Sequence, residues 1–115
     1  MKTGLFFGTF NPIHNGHIAI AGYMANQTDL AEVWLVVSPQ NPLKKNEDLL
    51  EDKARYRLVE LAAENHPKLK ANDTEFHLPK PSYTFDTLAF LKKKYPGKTF
   101  VVIIGEDNLR SFHLW

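Results

Sequence analysis

Two segments of this chain are apolar almost without interruption. "EVWLVVS" covers residues 32–38 and "TFVVIIG" covers residues 99–105, and both are rich in β-branched side chains. A strand with one face in water alternates apolar and polar residues, so a continuous apolar run indicates a strand that is covered on both faces. Such strands belong mostly to parallel sheets with helices on both sides. The chain is therefore predicted to be an α/β protein.

Amphipathic segments alternate with the apolar ones along the chain. A short apolar run at residues 3–8 is followed by helical spacing over residues 16–28, and a second helix is predicted over residues 51–65. A weaker third strand is predicted within residues 68–78, and Thr84 is the predicted cap of a third helix. This order predicts one domain with a Rossmann-like parallel sheet and flanking helices, in which ligands bind beyond the carboxyl ends of the strands.

The spacing of apolar residues also predicts which face of each helix is buried. The predicted core positions are Ile18, Ala21, Gly22 and Ala25 in the first helix, Ala54, Leu58, Leu61 and Ala62 in the second, and Phe85, Leu88 and Ala89 in the third.

Composition excludes several functional classes. The chain has 115 residues, of which 43% are apolar and 12% aromatic, enough for one domain with a core of its own. A net charge of +1 gives no strong field for a nucleic acid, and the absence of cysteine excludes disulfides and thiolate metal sites. The apolar start is too short for a signal peptide, and no stretch is long enough to cross a bilayer. We expect a cytoplasmic protein that binds neither nucleic acid nor membrane.

Three polar or glycine-containing loops should meet at one edge of the predicted sheet. They cover residues 8–17, 38–45 and 105–107, and each follows a predicted strand. Loops that converge from separate strands are typical of a nucleotide crevice. The chain has neither GxGxxG nor GxxxxGK[ST], so a phosphate would have to be held in another way.

The first of these loops contains the sequence "GTFNPIHNGH". Gly16 and His17 should open the first helix, where free N–H groups and the helix dipole favour an anion. His14 in the turn and His17 in the first helical turn would then both face one phosphoryl group. Phosphoryl and nucleotidyl transfer need no protein nucleophile, only alignment and donors aimed at the developing charge. Imidazoles can supply such donors.

Less specific interpretations stay open for these residues. The two histidines have the spacing of a metal-binding pair, although no third ligand is near in sequence, and they are also compatible with surface side chains that have no role. The lysine pair at 44–45 is compatible with a solvated loop. Asp107 is compatible with a helix cap, and Trp115 with a core side chain.

The motifs together resemble a known family. "GTFNPIHNGH" resembles the HxGH signature of the nucleotidylyltransferase superfamily. "NPLKK", "RYRLVELA", "SYTFDTL" and "VVIIGEDNLRSFHLW" are similar to the loop-lysine, helix-two arginine, substrate and GxDxLxxFxxW segments of bacterial nicotinate mononucleotide adenylyltransferases. The resemblance runs from residue 3 to residue 115. It implies transfer of AMP from ATP to nicotinate mononucleotide, which gives deamido-NAD and pyrophosphate.

The resemblance also implies a role for each matching residue. His14 and His17 would contact the ATP phosphates and stabilise the transition state at the α-phosphorus, with Mg²⁺ to complete the neutralisation of charge. The residues implied to bind ATP are Gly8, Thr9, Phe10, His14, Gly16, His17, Lys44, Gly105 and Asp107. Those implied to bind nicotinate mononucleotide are Tyr83, Thr84 and Trp115.

Related transferases match less well. Phosphopantetheine adenylyltransferases usually carry Thr where this chain has His14, and cytidylyltransferases lack the "SYTFDTL" segment. The chain departs from the adenylyltransferase pattern at Asn11, where Asp is common, and at Leu43, where a His often precedes the loop lysine. A sister transferase with another acceptor, and a nucleotide-binding module without turnover, remain alternatives.

Family members continue past the residue that corresponds to Trp115, to an ISxTxxR segment that holds the ATP phosphates. Residues 1–115 are accordingly expected to be the amino-terminal part of one nucleotidylyltransferase domain. We expect weak or absent turnover from this chain, because His14, His17 and Lys44 would hold the phosphates from one side only. We also expect self-association as a homo-oligomer or marginal stability, because apolar residues near its end would be left uncovered.

Overall fold

A parallel sheet lies at the centre of the fold. The computed structural model describes residues 2–8, 10, 13–38, 52–78 and 84–103. The strands in these ranges are β1 (Lys2–Gly8), β2 (Glu32–Val37), β3 (Leu69–Asn72) and β4 (Thr99–Ile103). Their order is β3-β2-β1-β4 and each of the described pairings is parallel, which confirms the predicted sheet.

Helices connect these strands. They are α1 (Asn15–Gln27), α2 (Asp52–Ala63) and α3 (Thr84–Lys94), within a few residues of the predicted positions. The predicted third strand is shorter than expected, because it ends at Asn72 and a 3₁₀ turn follows over Thr74–His77. The Asn72 side chain accepts a hydrogen bond from the Thr74 N–H at 3.0 Å, and this local turn ends the strand.

Alternate residues of the central strands fill two separate cores, one on each face of the sheet. Phe6, Leu35 and Val37 pack against α1 and α2 on one face, and Leu5, Val36 and Leu91 pack on the other face, where Leu91 belongs to α3. Val33, Leu35, Val36 and Val37 have no exposed surface. The prediction that β2 is covered on both faces is confirmed.

The predicted buried face of α2 is wrong by one residue. Arg55, Val59 and Ala63 are the buried positions, whereas Leu58 and Leu61 are 38% and 45% exposed. The rotation has a polar cause, since the Arg55 guanidinium is fully buried and donates to the Ser38 carbonyl oxygen at 2.7 Å and to Asp52. A buried guanidinium is costly unless it is paired, so these partners determine which face of the helix turns inward.

The predicted core residues of α3 and β4 also need correction. Thr87 and Leu91 are fully buried in α3 and Leu88 is half-buried, whereas Phe85 is 67% exposed and Ala89 is exposed. β4 alternates between exposed and covered positions, and Thr99 and Val101 are exposed. Phe100 and Val102 pack on the α3 side of the sheet, whereas Thr99 and Val101 point to the other face and are exposed there, so β4 is not covered on both faces as the sequence suggested.

The strand order fixes where a ligand can bind. From β1 the chain adds β2 and β3 on one side and then returns to place β4 on the other side of β1. In open parallel sheets the crevice lies at such a reversal, beyond the carboxyl ends of the two strands involved. The segment that follows β1 and opens α1 therefore lies at the expected position of a ligand.

Candidate active site

The aromatic ring of Phe10 packs against the carboxyl end of β1. Phe10 is 2% exposed and adopts a left-handed backbone conformation, with φ of 51°. A Cβ added to Gly8 would lie 2.9 Å from this ring, so glycine is needed there to admit the Phe10 side chain. The ring also contacts Phe6 and His17 edge to face, with centroids 5.8 Å and 5.0 Å away. The Phe10 side chain thus supports His17 from the core, and only its backbone is left to face a ligand.

His14 and His17 cap the amino terminus of α1 reciprocally. His14 is the N-cap residue, and its Nδ1 accepts a hydrogen bond from the Gly16 N–H at 3.0 Å. The Nδ1 of His17, three residues on, accepts from the His14 N–H at 3.1 Å. Ser or Thr with Glu or Gln ordinarily forms this arrangement, and two imidazoles take their places here.

Gly16 provides the space for this cap. A Cβ at position 16 would lie 2.8 Å from Cε1 and 3.0 Å from Nδ1 of the His14 ring. The sequence suggested that the two glycines leave room for a triphosphate. In the structure their missing side chains leave room for protein rings instead, that of Phe10 at Gly8 and that of His14 at Gly16.

The cap determines where each imidazole carries its proton. A nitrogen that accepts a backbone N–H has no proton of its own, so the single proton of a neutral ring lies on Nε2. The two rings are stacked, with centroids 3.8 Å apart and planes inclined by 26°. His14 is exposed and His17 is half-buried. The sequence predicted free N–H groups for an anion at Gly16 and His17, but both are bonded within the cap, to Nδ1 and to the carbonyl oxygen of His14. The arrangement instead offers two neighbouring Nε2–H donors at the helix amino terminus.

The surroundings of His17 favour its neutral form. Burial lowers the pKa of His17 below its ordinary value of 6.5, and the neighbouring His14 lowers it further. Protonation would also place a hydrogen on Nδ1 and break the bond from the His14 N–H. Near neutral pH, His17 is thus an uncharged hydrogen-bond donor.

A buried polar network lies beside this site and was missed by the sequence analysis. Glu75, in the 3₁₀ turn after β3, accepts hydrogen bonds from the Ser38 hydroxyl at 2.8 Å and from the Thr87 hydroxyl at 2.6 Å. Ser38 follows β2 directly, and its N–H donates to the Gly8 carbonyl oxygen at 2.9 Å. One feature of the sequence could have indicated a buried polar group here: Arg55 has the helical spacing of Val59 and Ala63. In the structure its guanidinium reaches Ser38 from α2.

The structure brings together only some of the residues named from the sequence. Gly8, Phe10, His14, Gly16 and His17 form one continuous group at the end of β1 and the start of α1. Thr84 is the first residue of α3. The other named residues lie outside the described ranges: Thr9, Lys44, Tyr83, Gly105, Asp107 and Trp115.

Within the described ranges, no group of three or more His, Cys, Asp or Glu side chains is arranged to hold a metal ion. The helices of these ranges are also too short or too polar to span a bilayer.

Comparison with known proteins gives relatives along the whole chain. Probable nicotinate-nucleotide adenylyltransferases of Flavobacterium psychrophilum and Cytophaga hutchinsonii are 58% and 60% identical over 115 residues. Each alignment covers 100% of this chain and 60% of the relative, so the chain spans about 60% of the length of these curated proteins.

Solved structures share the fold at lower identity. The Plasmodium falciparum nicotinic acid mononucleotide adenylyltransferase complexed with NaAD has a TM-score of 0.83 and 24% identity, over 99% of this chain and 56% of that chain. The profile of the family described as Cytidylyltransferase-like matches residues 5–115, nearly the whole sequence. Because this match includes the strand, turn and helix that carry the paired imidazoles, the chain belongs to the cytidylyltransferase-like family.

Proposed function

We propose that the protein is a nicotinate-nucleotide adenylyltransferase, which transfers AMP from ATP to nicotinate mononucleotide. The observation that carries this proposal is the stacked imidazole pair at the amino terminus of α1, with both Nδ1 atoms occupied by backbone N–H groups. Two neighbouring Nε2–H donors beside a helix amino terminus match the need of a phosphate chain that gains charge during the reaction.

The donors are well suited to the reaction because they are held in place before substrate arrives. The His14 and His17 rings are fixed by the cap, and Phe10 packs against the edge of His17. Preorganised donors stabilise developing charge without the cost of reorientation, and one such donor is typically worth about a hundredfold or more in turnover. We therefore assign His14 and His17 to the ATP phosphates as catalytic residues.

The reaction would proceed by one in-line displacement. A phosphate oxygen of nicotinate mononucleotide attacks the α-phosphorus of ATP and forms a new P–O bond. The bond from the α-phosphorus to its bridging oxygen breaks, and pyrophosphate leaves with the electron pair. The Nε2–H groups of His14 and His17 would donate to phosphate oxygens as the charge shifts, and no covalent enzyme intermediate forms.

Mg²⁺ fits this site as part of the substrate. The ion usually takes its ligands from phosphates and water with only one or two carboxylates, so the lack of a ligand cluster among the described side chains is compatible with MgATP. When bound, the ion supplies charge neutralisation on the phosphates. The imidazoles would remain donors, because their Nδ1 atoms are occupied by the cap.

The identity of the acceptor is supported by the relatives and by α3. Curated proteins that are 50–60% identical to this chain are named probable nicotinate-nucleotide adenylyltransferases. α3 begins at Thr84, and the positive end of a helix dipole favours a carboxylate such as that of nicotinate. In this assignment Tyr83, Thr84 and Trp115 contact the acceptor.

The remaining ATP contacts complete the proposal. The backbone of Gly8, Thr9, Phe10 and Gly16 would line the nucleotide, and Lys44 would add a positive charge at the phosphates. Gly105 and Asp107 would face the ribose of the adenosine.

Pyrophosphate release tests the function directly. For this and every other turnover measurement the chain is extended past residue 115 through the ISxTxxR segment. The purified protein is given MgATP with nicotinate mononucleotide, nicotinamide mononucleotide, phosphopantetheine or glycerol 3-phosphate in separate reactions, and the adenylylated product is identified by mass. We expect the fastest release and deamido-NAD with nicotinate mononucleotide. Preference for another acceptor would identify a sister transferase, and ATP binding without pyrophosphate release would indicate a binding module.

A further inference from the structure

Glu75 is a buried carboxylate that connects the residue after β2 with α3. It is 4% exposed, and each of its oxygens accepts one hydroxyl hydrogen bond. Oε1 accepts from Ser38, the residue after β2, and Oε2 accepts from Thr87 in α3. Thr87 is itself fully buried. One side chain therefore links the carboxyl end of the central strand β2 to the first turn of α3.

Placing a carboxylate there costs folding free energy, which points to a role beyond packing. Burial raises the pKa of Glu75, and the hydrogen bonds from Thr87 and Ser38 lower it only in part. An apolar side chain would fill this volume without the desolvation cost. What a carboxylate adds is directional contact with two hydroxyl groups at once.

The link reaches both halves of the site. Ser38 donates its N–H to Gly8, at the end of the strand that leads to the paired imidazoles. Thr87 lies one helical turn after Thr84, so the position of its hydroxyl sets the position of the first turn of α3. Arg55 donates to the Ser38 carbonyl oxygen and holds the same residue from the α2 side.

We propose that Glu75 is a positioning residue for the acceptor nucleotide, which it holds in register with the ATP phosphates by fixing α3 to the end of β2. This inference rests on the proposed function, in which the acceptor lies at the start of α3 and the phosphates lie at His14 and His17. Displacement of a bound group by about 1 Å is sufficient to slow such reactions severely. Loss of the link should therefore impair use of the acceptor more than binding of ATP.

Substitutions of Thr87 separate the hydrogen bond from the packing. Thr87→Val keeps the branched shape and removes the hydroxyl, while Thr87→Ser keeps the hydroxyl. We expect Thr87→Val to raise KM for nicotinate mononucleotide about tenfold, with KM for ATP within about twofold of wild type. Thr87→Ser should restore most of the loss, and Glu64→Gln, at an exposed glutamate after α2, should change neither value.

Backbone amide chemical shifts give a second test that needs no turnover. Ser38→Ala removes the other hydroxyl, at a position far from α3 in the sequence, and we expect the amide signals of Phe85 and Asp86 to move. They should stay in place in Glu64→Gln.

Equal changes in both KM values for Thr87→Val, failure of Thr87→Ser to restore acceptor KM, or unmoved α3 amides in Ser38→Ala would each overturn the positioning role. If the wild-type protein adenylylates a different acceptor, the proposed function fails. The amide shifts then still decide whether Glu75 ties α3 to β2, and the KM comparison is made with the acceptor that is used.

Discussion

The imidazole rings of His14 and His17 lie face to face, with centroids 3.8 Å apart, and each accepts a backbone N–H on its Nδ1 atom. Two charged imidazoliums at this distance would repel each other and would also lose both hydrogen bonds. A neutral ring that accepts on Nδ1 carries its proton on Nε2.

Gly16→Ala should disturb the His14 ring without removing either histidine. The added Cβ would lie 2.8 Å from the ring, so the imidazole must move and lose its bond from the Gly16 N–H. We expect turnover to fall about tenfold to a hundredfold in steady-state pyrophosphate release.

Gly22→Ala is the matched control on the same helix, because a Cβ at position 22 meets nothing within 4 Å. It should leave turnover unchanged and raise the free energy of unfolding by about 0.5–1 kcal/mol. Similar turnover in the two variants would contradict the role given to Gly16.

His17→Ala should lower turnover by about a hundredfold or more, the effect typical of losing one preorganised donor. The affinity for ATP, measured by calorimetry, should change far less, because the donor acts mainly in the transition state. His66→Ala, at an exposed histidine in the turn after α2, serves as the control and should behave like wild type. Near-normal turnover of His17→Ala would show that this imidazole is not catalytic.

Stability should fall on the acid side of neutrality, in part through His17. The pKa of His17 in the folded protein is below its ordinary value of 6.5, so the unfolded chain takes up this proton first as the pH falls. The contribution is complete above pH 6.5 and is lost progressively as the pH falls towards the folded pKa. Urea unfolding measured between about pH 5 and 7 gives the free energy of unfolding at each pH. This free energy should depend less steeply on pH in His17→Gln, whose side chain does not titrate, than in the wild-type protein. If the free energy of unfolding depended on pH equally in the two proteins, His17 would make no contribution to the loss of stability in acid.

The corrected orientation of α2 predicts unequal effects for two neighbouring apolar residues. Val59 has no exposed surface, whereas Leu58 is 38% exposed although it is the larger side chain. Val59→Ala should lower the free energy of unfolding by about 1.5–3 kcal/mol, and Leu58→Ala by well under that. Urea unfolding measures both values. A larger decrease in the free energy of unfolding for Leu58→Ala would show that the face of α2 predicted from the sequence is the buried one.

The acid form of the acceptor should be preferred over the amide. A helix amino terminus at Thr84 offers several N–H donors, which pair better with a carboxylate than with a carboxamide that has one acceptor oxygen. We expect kcat/KM for nicotinate mononucleotide to exceed that for nicotinamide mononucleotide, measured under identical conditions. Equal kcat/KM for the two mononucleotides would show that the start of α3 does not bind the carboxylate of the acceptor.

The sheet and the junction between β1 and α1 were predictable because they depend on local patterns. A continuous apolar run such as residues 32–38 has few alternatives to a buried parallel strand, and glycines with two histidines after a strand indicate a turn that leads into a helix. The predicted helix over residues 16–28 corresponds to α1, and its core positions Ala21 and Ala25 are buried.

The buried face of α2 and the polar network of Glu75 could not be predicted, because they depend on contacts between residues distant in sequence. The buried face of α2 follows Arg55, whose guanidinium reaches Ser38 across the fold, and apolar spacing alone favoured Leu58 instead. Glu75 has no distinctive local sequence, because its partners Ser38 and Thr87 are far from it along the chain. The sequence indicated that Gly8 and Gly16 leave space, but the groups that occupy this space, the rings of Phe10 and His14, are visible only in the structure.

The reciprocal cap also places each imidazole in a chain of hydrogen bonds, between a backbone N–H at the start of α1 and a group that would accept from Nε2. In each ring a backbone N–H donates to Nδ1 on one side while Nε2–H points away on the other. An anion that accepted from Nε2–H would polarise that bond and leave the ring richer in electrons, so Nδ1 would become a better acceptor for its backbone N–H, as in any chain of cooperative hydrogen bonds. The positive end of the helix dipole would thereby be extended by the length of an imidazole, and anion binding would hold the first turn of α1 more firmly.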